Sequence, residues 1–149
     1  MINLDFIGLF IFFVGFIIGL GAVTVIDIHG FLGRKSKYWT EATTRTHKVT
    51  KPLIWVGISL VIIGGITLYR NEPFSGIPFY HAIIAGILIL NGLFLSFYVS
   101  PFLLRRELEG RQAELLPLSL QNKIIVSLIL SDIGWWGGVF LLVLYITKQ

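Results

Sequence analysis

The chain has 149 residues, of which 55% are hydrophobic and 13% are charged, and its formal net charge is +4. Because a soluble domain carries about a quarter of its residues as charged side chains, this composition argues against a water-soluble globule and favours lipid as the solvent. The lack of cysteine excludes disulfides, thiolate zinc sites, iron–sulfur clusters and thiol catalysis.

Four apolar runs dominate the sequence, at about residues 4–28, 52–69, 79–104 and 124–147. Each run matches the roughly 20 helical residues that a hydrocarbon core needs, and continuous runs without alternation indicate helices rather than barrel strands. The first run follows no basic region and precedes no small-residue cleavage site, so we expect a retained span. The sequence therefore predicts one all-α domain over residues 1–149, a four-helix transmembrane bundle of up-down topology.

The basic residues predict how the bundle is oriented. Of the 12 Lys and Arg residues, all except Arg70 and Lys148 lie in the connections after the first and third runs. The positive-inside rule therefore places both termini on the non-cytoplasmic side. This asymmetry explains the net charge without a nucleic-acid partner, and it leaves the lipid bilayer as the expected partner.

Two of the connections carry helix signals. Thr40 is predicted to cap a helix that runs into the second span, with Glu41 four residues before Arg45. The segment 105–116 contains good helix formers and is predicted to extend the third span or to form a surface helix.

Small residues occur at helical spacing in every run, which is how helices pack closely in lipid. They predict packing seams inside the bundle or between protomers, so a homo-oligomer is one expected state. The glycines that define these seams are Gly15, Gly19, Gly57, Gly64, Gly92, Gly134 and Gly138.

Asp132 interrupts the fourth run and is the first functional candidate. A carboxylate near the bilayer centre costs about 2.5–3.5 kcal/mol, and Asp132 lies about 12 Å deep by helix rise. It is predicted to be either a proton or cation site or a neutral carboxyl in an interhelical hydrogen bond. Its partners at similar depth are Asn91 and Ser96 in the third run and Ser59 in the second.

Asp27 and two histidines cluster at the connection end of the bundle. Asp27 closes the first run and is a further candidate for the ion or proton site, or for a partner of nearby basic residues. His29 and His47 share a membrane level, so they are the same-chain pair for haem b or a metal. For each histidine alone, an interface hydrogen bond is the competing interpretation, and His81 lies at the opposite end.

Three short stretches carry a family resemblance. They are GLGAVTVID at 19–27, Gly64 with Gly65, and Asn91 through Pro101. Their order resembles that of small four-span bacterial membrane proteins of unassigned function, and the layout also resembles copper-resistance D-type membrane domains, which place histidines within their spans. The resemblance implies a bacterial cytoplasmic (inner) membrane and assigns no functional residues.

Soluble-type catalytic motifs such as GxSxG and the Walker loop are missing, and no catalytic residue is assigned. We therefore expect a non-enzymatic integral membrane protein, an accessory or assembly subunit of a larger membrane complex. Two alternatives remain open: a small oligomeric proton- or cation-coupled transporter centred on Asp132, and a haem- or metal-binding protein that uses His29 and His47.

Overall fold

The computed structural model describes residues 3–148 of the chain. Within them it contains helices and no strands: α1 (Leu4–Gly33), α2 (Lys37–Leu68), α3 (Gly76–Phe94), α4 (Ser100–Leu108) and α5 (Leu118–Thr147). A π-helical turn, Leu95–Val99, joins α3 to α4, so that Gly76–Leu108 is one long helix. Four helices are thus long and apolar enough to cross a membrane, which confirms the predicted all-α class and the four apolar spans.

Side-chain caps, not hydropathy, set where the first two helices begin. The Asn3 side chain accepts a hydrogen bond of 2.7 Å from the Phe6 N–H at the start of α1. Ser36 caps α2 by accepting from the Trp39 N–H, so the prediction of a cap at Thr40 is wrong. The Thr40 hydroxyl instead donates to the Gly33 carbonyl over 2.7 Å and joins α2 to the end of α1.

The π turn ends two residues before Pro101, which lies in the first turn of α4. Proline has no N–H to donate to the carbonyl four residues earlier. In the widened turn, the Ser100 N–H bonds to the Leu95 carbonyl five residues back. Such turns recur at functional sites, and this one borders the cavity described below.

The segment 105–116 is helical only as far as Leu108, where α4 ends. Gly110 has φ +71, a left-handed conformation that favours glycine. The Arg111 N–H then bonds to the Arg106 carbonyl at 2.8 Å, which is the pattern of a glycine-terminated helix end. The prediction of a helical extension therefore holds for one turn and fails for the rest of the segment.

Glycines bring the backbones of α1 and α2 into direct contact. A Cβ atom on Gly15 would lie 2.6 Å from the Val61 nitrogen, and one on Gly57 would lie 2.6 Å from the Gly19 Cα. Gly64 similarly faces the backbone of Phe12. Because lipid offers no hydrophobic drive for association, this close approach supplies the dispersion contacts that hold the pair.

The remaining seam glycines receive large side chains from other helices. Gly19 also faces the Trp135 ring, Gly138 faces the Phe16 ring, Gly134 faces Leu88 and Gly92 faces Trp55. Trp135 is 1% exposed and sits in the core with Phe12, Phe16 and Leu142. Its neighbour Trp136 is 59% exposed, so the two adjacent tryptophans have different environments.

Candidate functional site

A cavity of about 90 Å³ lies where the end of α1, the start of α2, the π turn and the start of α5 meet. We call it the loop-end cavity, because the connections 34–36 and 109–117 adjoin it. One water molecule needs about 10–15 Å³ of such volume, so the cavity is large enough for a small ligand group. Its polar lining includes Asp27, Arg34, Thr43, His47, Lys51, Ser96, Gln121, Ser127 and Ser131.

Three buried polar atoms at this cavity have no hydrogen-bond partner among residues 3–148. They are Asp27 Oδ2, Arg34 Nε and His47 Nε2, and all three residues line the cavity. Since buried polar atoms are nearly always hydrogen-bonded, each exception needs a cause. Their convergence on one space is the strongest indication of a binding site in the molecule.

Asp132 approaches this site from α5. It directly follows the cavity-lining Ser131, and it lies close enough to Asp27 for the two carboxylates to interact electrostatically. No ion pair or hydrogen bond joins Asp132 to another residue in the described part of the chain. The structure therefore places the two predicted acidic candidates within electrostatic range of each other, which the sequence did not reveal.

The neutral partners expected for Asp132 are engaged elsewhere. Asn91 donates to the Ser127 carbonyl over 3.1 Å and accepts from the Ser127 hydroxyl over 2.6 Å, which joins α3 to α5. Ser96 accepts from the Trp55 indole N–H at 3.1 Å, and Ser59 is exposed on the outside of α2. Asn91 thus links the two helices, and both its amide nitrogen and its amide oxygen are hydrogen-bonded to Ser127.

The two candidate haem or metal ligands, His29 and His47, face different surroundings. His29 Nδ1 lies 3.0 Å from the Thr46 hydroxyl, and its ring lies 5.1 Å from the Trp39 ring. His47 lines the loop-end cavity, whereas His29 does not. Among residues 3–148, no three His, Cys, Asp or Glu side chains come together as a metal site, and haem binding by the histidine pair stays a prediction.

His81 is a buried polar residue that sequence reasoning placed only at a span end. It is 7% exposed, and its Nε2 lies 2.9 Å from the Gly138 carbonyl. Because a carbonyl only accepts, Nε2 carries the proton, and Nδ1 of the neutral ring accepts from the Tyr69 hydroxyl 2.9 Å away. His81 therefore links α2, α3 and α5 by hydrogen bonds and needs no ligand.

Arg106 is the second such residue, at 6% exposure. One guanidinium nitrogen donates to the carbonyls of Glu114, Arg111 and Leu115, at 2.7, 3.3 and 3.4 Å. These bonds hold the connection 109–117 against the end of α4. The sequence shows two adjacent arginines, Arg105 and Arg106, and does not indicate that Arg106 is buried.

Around this connection, exposed ion pairs shift the titration of the acidic groups. The hydrogen bond from Arg105 lowers the pKa of Glu109, and the hydrogen bond from Arg111 lowers the pKa of Glu114. Both carboxylates are solvent-exposed, so these pairs order the connection and add little stability.

Comparison with known proteins gives no match for this chain to any family model, curated protein or solved structure.

Proposed function

We propose that the protein is a non-enzymatic, proton-coupled membrane transporter in which Asp27 and Asp132 bind a proton and thereby control occupancy of the loop-end cavity. One observation carries the proposal: Asp27, whose Oδ2 is buried and unpartnered within residues 3–148, lines the cavity within electrostatic range of a second carboxylate. The site is thus centred on the pair and not on Asp132 alone.

The chemistry follows from the surroundings of the pair. Neither carboxylate has an ion-pair partner within residues 3–148. The Asp27 oxygen is buried, and an isolated buried charge is costly enough that such groups neutralise instead. Two interacting carboxylates also do not both ionise readily, because like charges repel. One proton held by the pair relieves both costs, and its release returns a negative charge to the cavity.

Infrared difference spectroscopy of the protein in nanodiscs tests the pair directly. We expect a protonated-carboxyl band at neutral pH that Asp27→Asn or Asp132→Asn removes or shifts, since the proton belongs to both groups. Asp5→Asn is the matched control, because Asp5 pairs with Arg70 over 2.6 Å at the other end of α1. A wild-type spectrum without such a band, or one altered equally by all three variants, overturns the proposal.

The proposed transporter has up-down topology, with both termini on the non-cytoplasmic side of a bacterial inner membrane. The contacts of Gly8 with Leu68 and of Gly33 with Thr40 support an antiparallel α1–α2 pair, and the distribution of basic residues supports the orientation. Because the chain has no cysteine, single cysteines report sidedness cleanly. An impermeant maleimide should label Phe74→Cys in intact spheroplasts and Leu115→Cys only after lysis, and the reverse pattern contradicts the orientation.

A second candidate role is that of an accessory subunit in a larger membrane complex or a homo-oligomer. This role is favoured by the helix Gly76–Leu108. In its most apolar stretch only 17% of the residues are buried, compared with 28–33% in the same stretch of the other three long helices. Beside it, an apolar groove of about 440 Å³ includes Ala82, Ala85 and Gly86, small residues of the kind that admit another membrane helix. Native mass spectrometry from mild-detergent extracts should then show a larger assembly, and a lone monomer would exclude this role.

A further inference from the structure

The loop-end cavity combines basic and apolar surfaces in a way that specifies a ligand class. We infer that it binds an oxyanion carried on an apolar body, such as a carboxylate or a phosphate at the end of a hydrocarbon chain. This inference rests on the proposed proton-coupled function of the same cavity and names its ligand.

The polar side of the cavity is rich in donors. Arg34 Nε and His47 Nε2 are buried and unpartnered within the described residues, and Lys51 lines the same space while holding only a 3.4 Å bond to Ser100. Guanidinium, ammonium and imidazole groups together form charge-assisted hydrogen bonds with carboxylate and phosphate oxygens. An oxyanion is therefore the group that satisfies these atoms.

The remaining walls are hydrocarbon. They are formed by Ile26, Ile54, Leu95, Val99, Leu103 and Leu128. Pockets of this kind bury an apolar body and use a few polar groups to fix one end. A fully hydrated inorganic anion would leave these walls without contacts, so the apolar body is part of the ligand.

Proton binding and anion binding at this site favour each other. The titratable or charged groups that share the cavity with Asp27 are Arg34, directly after α1, and His47 and Lys51 on α2. Asp132 on α5 interacts with Asp27 electrostatically, and α3, the π turn and α4 contribute no such group to the described lining. An ionised Asp27 repels an incoming oxyanion and competes for these basic groups. A protonated Asp27 removes that repulsion and adds an O–H donor, so anion affinity falls as pH rises through the titration of the pair.

Calorimetry with decanoate, using protein in a non-ionic detergent, tests the inference. Decanol and decyltrimethylammonium carry the same chain without the negative charge, and acetate carries the charge without the chain. We expect decanoate alone to bind, with an affinity that falls by up to about tenfold per pH unit for one linked proton. Nanodiscs of phosphatidylglycerol and of phosphatidylcholine distinguish a lipid head group from a free amphiphile, since competition by phosphatidylglycerol alone identifies the lipid as the source.

Charge-matched variants separate this site from general surface attraction. Arg34→Gln should weaken decanoate binding by about tenfold or more, the loss expected for one charge-assisted hydrogen bond. Lys35→Gln removes the same charge from the adjacent exposed position and should leave binding unchanged. Equal losses in the two variants, or equal binding of decanol and decanoate, overturn the inference.

The pair variant separates this inference from the function on which it rests. The double variant Asp27→Asn with Asp132→Asn should bind decanoate with little dependence on pH over the range in which decanoate is ionised, and pH-dependent binding in this variant would refute the coupling. If the infrared band of the pair is present and no oxyanion binds, the ligand assignment fails while the proton site stands. If decanoate binds and the band is absent, the proton coupling fails instead.

Discussion

Replacing Gly15 by alanine tests whether the α1–α2 seam holds the bundle together. The added Cβ would lie 2.6 Å from the Val61 nitrogen and 2.9 Å from the Gly57 carbonyl oxygen. Both are backbone atoms in regular helix, so no side chain can rotate away and the helices have to separate by roughly 1 Å. Overpacking of this kind costs about 1–3 kcal/mol, and a loss of about 2 kcal/mol lowers the folded-to-unfolded ratio about 30-fold.

Gly21→Ala is the matched control, because nothing lies within 4 Å of a Cβ at that position on the same helix. Both variants gain the helix propensity of alanine over glycine, about 1 kcal/mol, so only the steric cost differs. Reversible unfolding in mixed micelles, followed by circular dichroism, measures the free energy of unfolding of each. Equal stability of Gly15→Ala and Gly21→Ala would refute the claim that backbone contact sustains the seam.

Three further predictions concern the buried polar residues and the connection 109–117. In the same micelle assay, His81→Phe should lower the free energy of unfolding by about 1–3 kcal/mol, because the hydrogen bonds of the ring with the Gly138 carbonyl and the Tyr69 hydroxyl are both lost. Arg106→Gln should accelerate hydrogen exchange in 109–117, whereas Arg105→Gln should change it little, because an exposed ion pair contributes about 0–1 kcal/mol. The ion pairs of Glu109 lower its pKa in the folded chain. These ion pairs are therefore fully formed above the ordinary pKa of 4.5 and are lost as pH falls through the lowered pKa. The NMR chemical shift of the Glu109 amide, followed against pH, measures this loss.

The sequence was sufficient for the four apolar helices because hydrocarbon imposes a length and a composition on each span. It was less informative about their ends: α1 continues to Gly33 beyond the predicted end near residue 28, and α5 begins at Leu118 rather than near residue 124. Those ends depend on caps and on backbone hydrogen bonds, which hydropathy does not register. The π turn at Leu95–Val99 was also missed, although Pro101 two residues later was its visible cause.

The sequence singled out some residues of the candidate site but not their arrangement. Asp27 and Asp132 stood out because polar groups are scarce in apolar runs, and His47 because it shares a membrane level with His29, whereas Arg34 and Lys51 were noted only as basic residues of a connection. That Asp27 and Asp132 approach each other depends on the register in which α1 packs on α5, and that register is set by Trp135 seated on Gly19 and Phe16 seated on Gly138. A single sequence does not show which side chain packs on each glycine, so it does not predict this register.

The glycine seam also explains why a cavity exists at this depth, and Gly30→Leu tests the explanation. Glycines of α1 contact the α2 backbone as far as Gly19, and a Cβ on Gly33 would lie 3.3 Å from the Thr40 nitrogen. A Cβ on Gly30 would meet nothing within 4 Å, and Gly30 lines the cavity. Position 30 thus borders open space between these two contacts, although His29 beside it still reaches Thr46 of α2, and Asp27 lines the same space.

Leucine at position 30 should therefore fill free space, leave the free energy of unfolding near the wild-type value, and abolish decanoate binding by occupying the cavity. Gly21→Leu, which adds the same side chain at an open position outside the cavity, should leave both quantities unchanged. Destabilisation of Gly30→Leu by more than about 1 kcal/mol, the scale of overpacking, would mean that the added side chain clashes with its neighbours and that position 30 does not border free space.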